Sequence, residues 1–247
     1  MSPLTVAVLA HHDDEVFCVG PLGEAAAAGS LRILWVTAGG LAPAARRRRE
    51  GRAVAAILGL RPSDAVSLGL PDQGAVDHLP AIVSAITDLM GDEGDEGDEI
   101  DLLVPAYEGG HPDHDAVNAA AAQARTLAGA TGRRLTAFEF AMYRRGNSSM
   151  AVKAPFTDGD IRRLGPEDIA LRRSLAHANL SQTPSLLALA VLAKAQRRWD
   201  AEPIRELPTH DYTQPPSAGR VLYEMYCRRR HDELARAVTG LDVEGAR

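Results

Sequence analysis

Five short, largely apolar runs punctuate the first 140 residues, at 4–9, 31–36, 65–68, 100–104 and 135–140. Stretches with helical periodicity, 14–28, 42–58, 78–90 and 113–129, lie between them. Strands that alternate with helices of this length build βαβ units, and runs that are apolar throughout belong to a parallel sheet covered on both faces. Right-handed crossovers then carry every strand-to-helix loop to one edge of the sheet. The expected fold is α/β: a Rossmann-like, mostly parallel sheet flanked by helices.

The remaining residues are less regular. Pro166 opens a helix to about Ala178 and Pro184 a second to about Trp199. The proline-rich stretch 207–216 predicts a loop packed over the sheet edge, and 221–226 reads as one more strand. Leu186, Leu187, Leu189, Val191 and Leu192 suit either core or a contact between subunits, so a homo-oligomer stays open. The Gly-Asp-Glu repeat across 91–99 lacks the spacing of a calcium loop and reads as an acidic surface loop. With 247 residues, one domain (1–247) is expected, a Rossmann-like core over 1–145 and an irregular C-terminal cap, 146–247, that shapes the substrate region.

Composition narrows the function. A net charge of −6 argues against a nucleic-acid surface, and the run Arg46 to Arg49 reads as a solvated helix face with one or two useful members. Cys18 and Cys227 are too few for a disulfide framework. Met1-Ser2-Pro3 leads straight into a strand with no basic leader, and no apolar stretch reaches the ~18 residues of a membrane helix. A soluble, cytoplasmic protein with no nucleic-acid or membrane partner is expected.

The chemistry gathers at two of the loops. Ala10-His11-His12-Asp13-Asp14-Glu15 follows the first strand, and His111-Pro112-Asp113-His114-Asp115 follows the fourth. Open α/β sheets place ligands at the carboxyl ends of their strands. Zinc hydrolases hold the ion with three protein ligands, and His11, Asp14 and His114 can supply that set. Neighbouring side chains in a turn point different ways, so Asp13 is free to be the general base beside Asp14. Of His111 and His114, one can ligate while the other faces substrate, and Asp113 or Asp115 can fix a ring. Two further readings stay open: a two-metal phosphoesterase on the same His/Asp-rich edge, or a nucleotide- or sugar-binding module at Gly20-x-x-Gly23 or Thr37-Ala38-Gly39-Gly40.

The paired motifs resemble those of the LmbE-like, or PIG-L, family of zinc-dependent N-deacetylases over residues 4–145. Arg47-x-x-Glu50, Leu68-Gly69-Leu70-Pro71-Asp72 and Asp211-Tyr212-Thr213-x-Pro215-Pro216 extend the resemblance. It implies one zinc, or another divalent first-row ion, on His11, Asp14 and His114. It also implies Asp13 as general base, His111 as general acid supported by Asp113, and Arg47 and Asp72 on substrate hydroxyls or phosphate. The implied partner is a small N-acetylated amino sugar or glycoside, or a thiol-sugar conjugate. Two positions depart from the family pattern. His12 replaces a proline and becomes a rival ligand, and Gly109 stands where some members carry a tyrosine, a place Tyr107 can take instead. Pro155-Phe156, His210 and Tyr212 are further candidates for the cleft wall.

Overall fold

Strand β1 (Leu4–Leu9) is apolar on both sides because it lies in the middle of the sheet, with Val6, Ala7, Val8 and Leu9 all at 0% exposure. The computed structural model describes residues 2–40, 42–91, 99–146 and 149–245, so the Gly-Asp-Glu repeat over 92–98 falls outside the described residues. From β1 the chain alternates through α1 (Val19–Ala27), β2 (Leu31–Thr37), α2 (Ala44–Ile57), β3 (Ala65–Leu70), α3 (Leu79–Met90), β4 (Glu99–Pro105), α4 (Pro112–Ala130) and β5 (Arg134–Phe140). These five strands are parallel, in the order β3-β2-β1-β4-β5. The order reverses between β1 and β4, and the crevice outside their carboxyl ends is where such sheets bind ligands.

Side chains alternate across the sheet and build a core on each face. Val6 and Val8 pack with Ile82 and Ile86 of α3, Ala120 and Ala124 of α4, and Leu234. Ala7 and Leu9 pack with Leu22 of α1, Val54 of α2, and Leu175 and Ala193 from later helices. The alanines of α4 carry little side chain, which lets the helix lie close on the sheet.

Beyond β5 the chain forms a hairpin, β6 (Tyr143–Arg145) and β7 (Met150–Val152), then β8 (Asp160–Arg163), α5 (Pro166–Ala178), α6 (Thr183–Ala195), β9 (Ala201–Glu206) and α7 (His231–Gly245). Strand β9 pairs antiparallel with β5 and β8 with β9, so the same sheet runs from the core into the C-terminal region. No helix among the described residues is long and apolar enough to cross a membrane.

Three expectations are corrected. The helix expected over 14–28 is split into a single 3-10 turn, Asp14–Phe17, and α1, because Pro21 is tolerated only in the first turn of a helix. Residues 221–226 form no strand; one turn, Tyr223–Met225, lies there. The second C-terminal helix ends at Ala195, short of Trp199, and β8, β9 and α7 were not legible.

Candidate metal centre

The turn after β1 is built to hold several side chains at once. Thr37, the last residue of β2, secures Ala10 by giving its carbonyl both the backbone N–H (2.8 Å) and the hydroxyl (3.0 Å). Asp13 then takes φ 134°, a conformation L residues rarely adopt. Glu15 stabilises it by accepting the Asp13 N–H at 2.7 Å, and Asn179 donates to the other Glu15 oxygen at 3.2 Å. The His11 N–H donates to Asp14 Oδ2 at 2.9 Å. Gly39 (φ +62°) packs against the His11 ring, where a Cβ would approach ring carbon to 2.8 Å, so only glycine fits.

The second cluster sits at the start of α4. His111 is the N-cap, and its Nδ1 accepts the Asp113 N–H at 3.2 Å. The Asp113 carboxylate is fully buried and accepts the N–H groups of Gln73 (2.8 Å) and Ala75 (3.0 Å). Its Oδ2 lies 3.1 Å from His11 Nε2 but 3.9 Å from His111 Nδ1. The carboxylate of Asp113 therefore hydrogen-bonds His11 and stands beside His111, whose Nδ1 takes the Asp113 backbone N–H instead. Asp115 turns away and accepts the Gly109 N–H at 3.1 Å.

The two clusters converge. Ring nitrogens of His11, His111 and His114 all lie within 4.8 Å of one another. Asp14 Oδ1 stands 3.7 Å from His11 Nδ1 and 3.4 Å from His114 Nε2. His114 Nε2 is buried and has no hydrogen-bond partner. An orphaned imidazole nitrogen beside a buried carboxylate and a second ring is the donor set of a first-row divalent ion, so the residues present fit zinc or a close neighbour. A carboxylate behind a ligand histidine, as Asp113 stands behind His11, fixes the ring and raises its basicity.

Electrostatics divide the two aspartates. Burial opposes the charge on Asp14, yet the His114 and His11 rings hold its carboxyl far below the usual range. Burial and the neighbouring Asp14 push Asp13 well up, opposed by Arg47. Burial and the His11 ring push His111 down, so it is neutral near pH 7.

The other expected site residues separate. Asp72 is exposed at the mouth, its Oδ1 3.5 Å from His11 Nε2. Arg47 is 0% exposed, and its guanidinium is engaged throughout. It donates to Asp13 Oδ1 (2.9 Å), Glu50 (2.7 Å), Ser181 (3.1 Å) and the Ala38 carbonyl (3.1 Å), so these arms are taken within the chain itself. The Tyr107 hydroxyl donates to the Gln214 carbonyl (2.7 Å) and touches His231 Nε2 (2.5 Å), which anchors it to the C-terminal region. His12 faces the opposite side and packs on Trp35, with ring centroids 4.8 Å apart. His210 pairs with Glu139, the Tyr212 hydroxyl donates to Asn118, and Phe156 lies under Arg205, while Pro155, Phe156 and His210 line a pocket together with Tyr107. Glu15, Glu50, Asn179 and Ser181, which brace Asp13 and Arg47, were not singled out as functional, and only the Arg47-x-x-Glu50 spacing hinted at them.

The glycines of the binding-module reading are occupied by the protein itself. The N–H groups of Val19 and Gly20 at the start of α1 donate to the Glu202 carboxylate at 2.9 and 3.0 Å, filling the place an anion would take.

Residues 6–125 match the family model described as PIG-L: GlcNAc-PI de-N-acetylase. The fold is that of the conserved protein TT1542 from Thermus thermophilus (24% identity, TM-score 0.61, covering 88% of this chain and 100% of that one). It is also the fold of the deacetylase of the teicoplanin biosynthesis pathway (19%, 0.56, covering 82% and 98%) and of the A40926 pseudoaglycone deacetylase Dbv21 (18%, 0.54, covering 83% and 98%). No curated protein matches the chain by sequence. The family match over residues 6–125, on this fold, places the chain with the de-N-acetylase class of enzymes, and the donor set fits a metal ion. Residues 6–125 are a PIG-L family domain.

Proposed function

We propose that the protein is a hydrolase that removes the N-acetyl group from a small amino sugar of the N-acetylglucosamine type. His11, Asp14 and His114 would hold one zinc ion, or another divalent first-row ion. Such an ion supplies Lewis acidity, making bound water acidic and polarising an acyl oxygen. The observation that carries the reading is the buried, unpartnered His114 Nε2, 3.4 Å from the Asp14 carboxylate.

The chain's own groups supply the proton chemistry. Asp13 is half-buried, and Arg47 fixes its Oδ1 at 2.9 Å, leaving Oδ2 to take a proton from the attacking water. Burial raises the affinity of this carboxylate for that proton, which suits a base that must later give it up to the leaving amine. His111 accepts the Asp113 N–H at Nδ1, so the neutral ring carries its proton on Nε2. That N–H is a donor for the oxygen on which negative charge develops as the carbonyl is attacked. A neutral imidazole is a poor acid, so His111 acts as this donor and Asp13 returns the proton to nitrogen, in place of the acid role the resemblance implies. Asp72, open at the mouth, accepts a sugar hydroxyl. The family match, the fold and the donor set support the reading.

The zinc-loaded protein, offered a panel of N-acetylated sugars, should release free amine and acetate in equal amounts and hold one metal ion per chain. Phosphate release from esters with two ions per chain, and no amine from any sugar, would replace this reading with the phosphoesterase.

A further inference from the structure

On the far side of the turn that carries Asp13 and Asp14, a pocket of about 320 Å³ opens between α5, α6 and the 3-10 turn Asp14–Phe17. None of the histidines of the metal centre lines it. Its walls are apolar, from Phe17, Leu186, Leu189, Ala193 and Trp199, and its one lysine is Lys153. The volume lies at the small end of ligand pockets, ~300–1,000 Å³. Of the apolar stretch in α6, Leu186, Leu189 and Leu192 pack on the core, whereas Leu187 stays 62% exposed at the pocket and Val191 60% exposed on the same helix.

Lys153 is out of place there. It is 4% exposed, its backbone takes φ 48°, and its Nζ has no hydrogen-bond partner, lying 5.7 Å from the centroid of the Phe17 ring. A buried ammonium without a counter-charge is costly. The nearby carboxylates are spent elsewhere. Glu202 accepts from Val19, Gly20 and Arg172, and Asp200 pairs with Arg163 at 3.1 Å. Arg172 itself donates to Val16, Trp199 and Glu202. Burial, with Arg172 adding to it, pushes the Lys153 ammonium down to about 7.

We propose that this pocket binds a medium-chain aliphatic carboxylate, its chain between α5 and α6 and its carboxylate on the Lys153 ammonium. Charge complementarity selects the occupant: the apolar walls take a chain, and the cation left without a hydrogen-bond partner takes an anionic head. Leu180 and Leu187, 61% and 62% exposed at the mouth, are placed to cover the chain.

Octanoate and octanol share a chain and differ in the head, so calorimetric titration of the full-length protein with each separates the two contributions. At pH 6.5 octanoate should bind about tenfold or more tightly than octanol, the value of one hydrogen bond between charged groups. At pH 9 Lys153 is neutral and the preference should vanish. The groups facing it are Arg172, Glu202 and Asp200, which are paired, Cys18, whose thiol burial holds well above its usual range, and His177, exposed on the pocket wall. Lys153→Met removes the buried cation without loss of volume, so it should fold, bind octanol and lose the preference for octanoate at pH 6.5. Ala190→Trp, at the half-buried wall, should block both ligands. Equal binding of octanoate and octanol by the native protein, or a preference that survives Lys153→Met, would overturn the proposal. So would binding of neither ligand by a chain that self-associates through α6.

Discussion

Arg47 offers the sharpest test, because its motif position and its surroundings imply different roles. As a substrate ligand it would contribute to KM; as the brace of Asp13 it would contribute to kcat. Arg47→Lys keeps the positive charge and loses the fork. The single ammonium can stay with Glu50, now 2.7 Å away, while the arm to Asp13 (2.9 Å) and the Nε–H to Ala38 (3.1 Å) disappear. A hydrogen bond between charged groups contributes ~1.5–3 kcal/mol, so kcat should fall about 10–100-fold. The side chain is 0% exposed, so KM should stay within about twofold of the native value by this reasoning. The same lost bond should lower Tm by about 3–12 °C, since a chain of this size loses ~2–4 °C per kcal/mol. Steady-state kinetics at 25 °C on the best sugar of the panel, at equal metal content and below the lowered Tm, reads the two parameters separately. A KM raised tenfold with kcat preserved would show that Arg47 reaches substrate after all.

Three other substitutions probe neighbouring links. Asp13→Asn should hold metal as the native protein does and lose at least ~10²-fold in kcat; turnover within tenfold of native would remove Asp13 from the base role. Asp113→Asn weakens the support behind His11, so metal affinity measured by chelator competition should drop ~10–100-fold; an unchanged affinity would place Asp113 outside the centre. Burial pushes the Glu108 carboxyl up to about 7 from its ordinary 4.5, while its Oε1 accepts the Met142 N–H at 2.6 Å. Its folded pKa is raised, so the native state holds a proton the unfolded chain releases, and stability falls as pH rises from 4.5 through 7. Glu108→Gln keeps the acceptor and removes the titration. Its stability relative to the native protein, from urea unfolding, should improve by about 3 kcal/mol between pH 4.5 and pH 8, and a constant difference would disprove the burial argument.

How far the chain can be read without coordinates depends on where each interaction is made. Strands β1 to β5 were legible because a strand buried on both faces carries its environment in its own residues. Strand β9 was not, since Ala201-Glu-Pro-Ile-Arg-Glu has three charges and a proline, and its pairing depends on β5 and β8 from elsewhere in the chain. The convergence of His11, Asp14 and His114 was foreseeable because each follows a strand whose end the fold brings to one edge. The target of the Asp113 carboxylate was not, because the ring it orients lies 102 residues away. Arg47 is concealed for the same reason. Its helix marks one member of the run 46–49 as inward-facing, but Asn179 and Ser181, which help seal it, come from the turn after α5.

The backbone at Asp13 carries a last consequence. With φ 134° and ψ −13°, this position suits a residue without a side chain. Glycine here would relieve ~1–3 kcal/mol of torsional penalty, but it would lose the bond to Arg47, which contributes ~1.5–3 kcal/mol. It would also delete the group assigned to receive the proton. The backbone strain at this position is therefore offset by the bond that Arg47 makes to the strained residue's own carboxylate, and loosening either one should be read in both melting temperature and turnover.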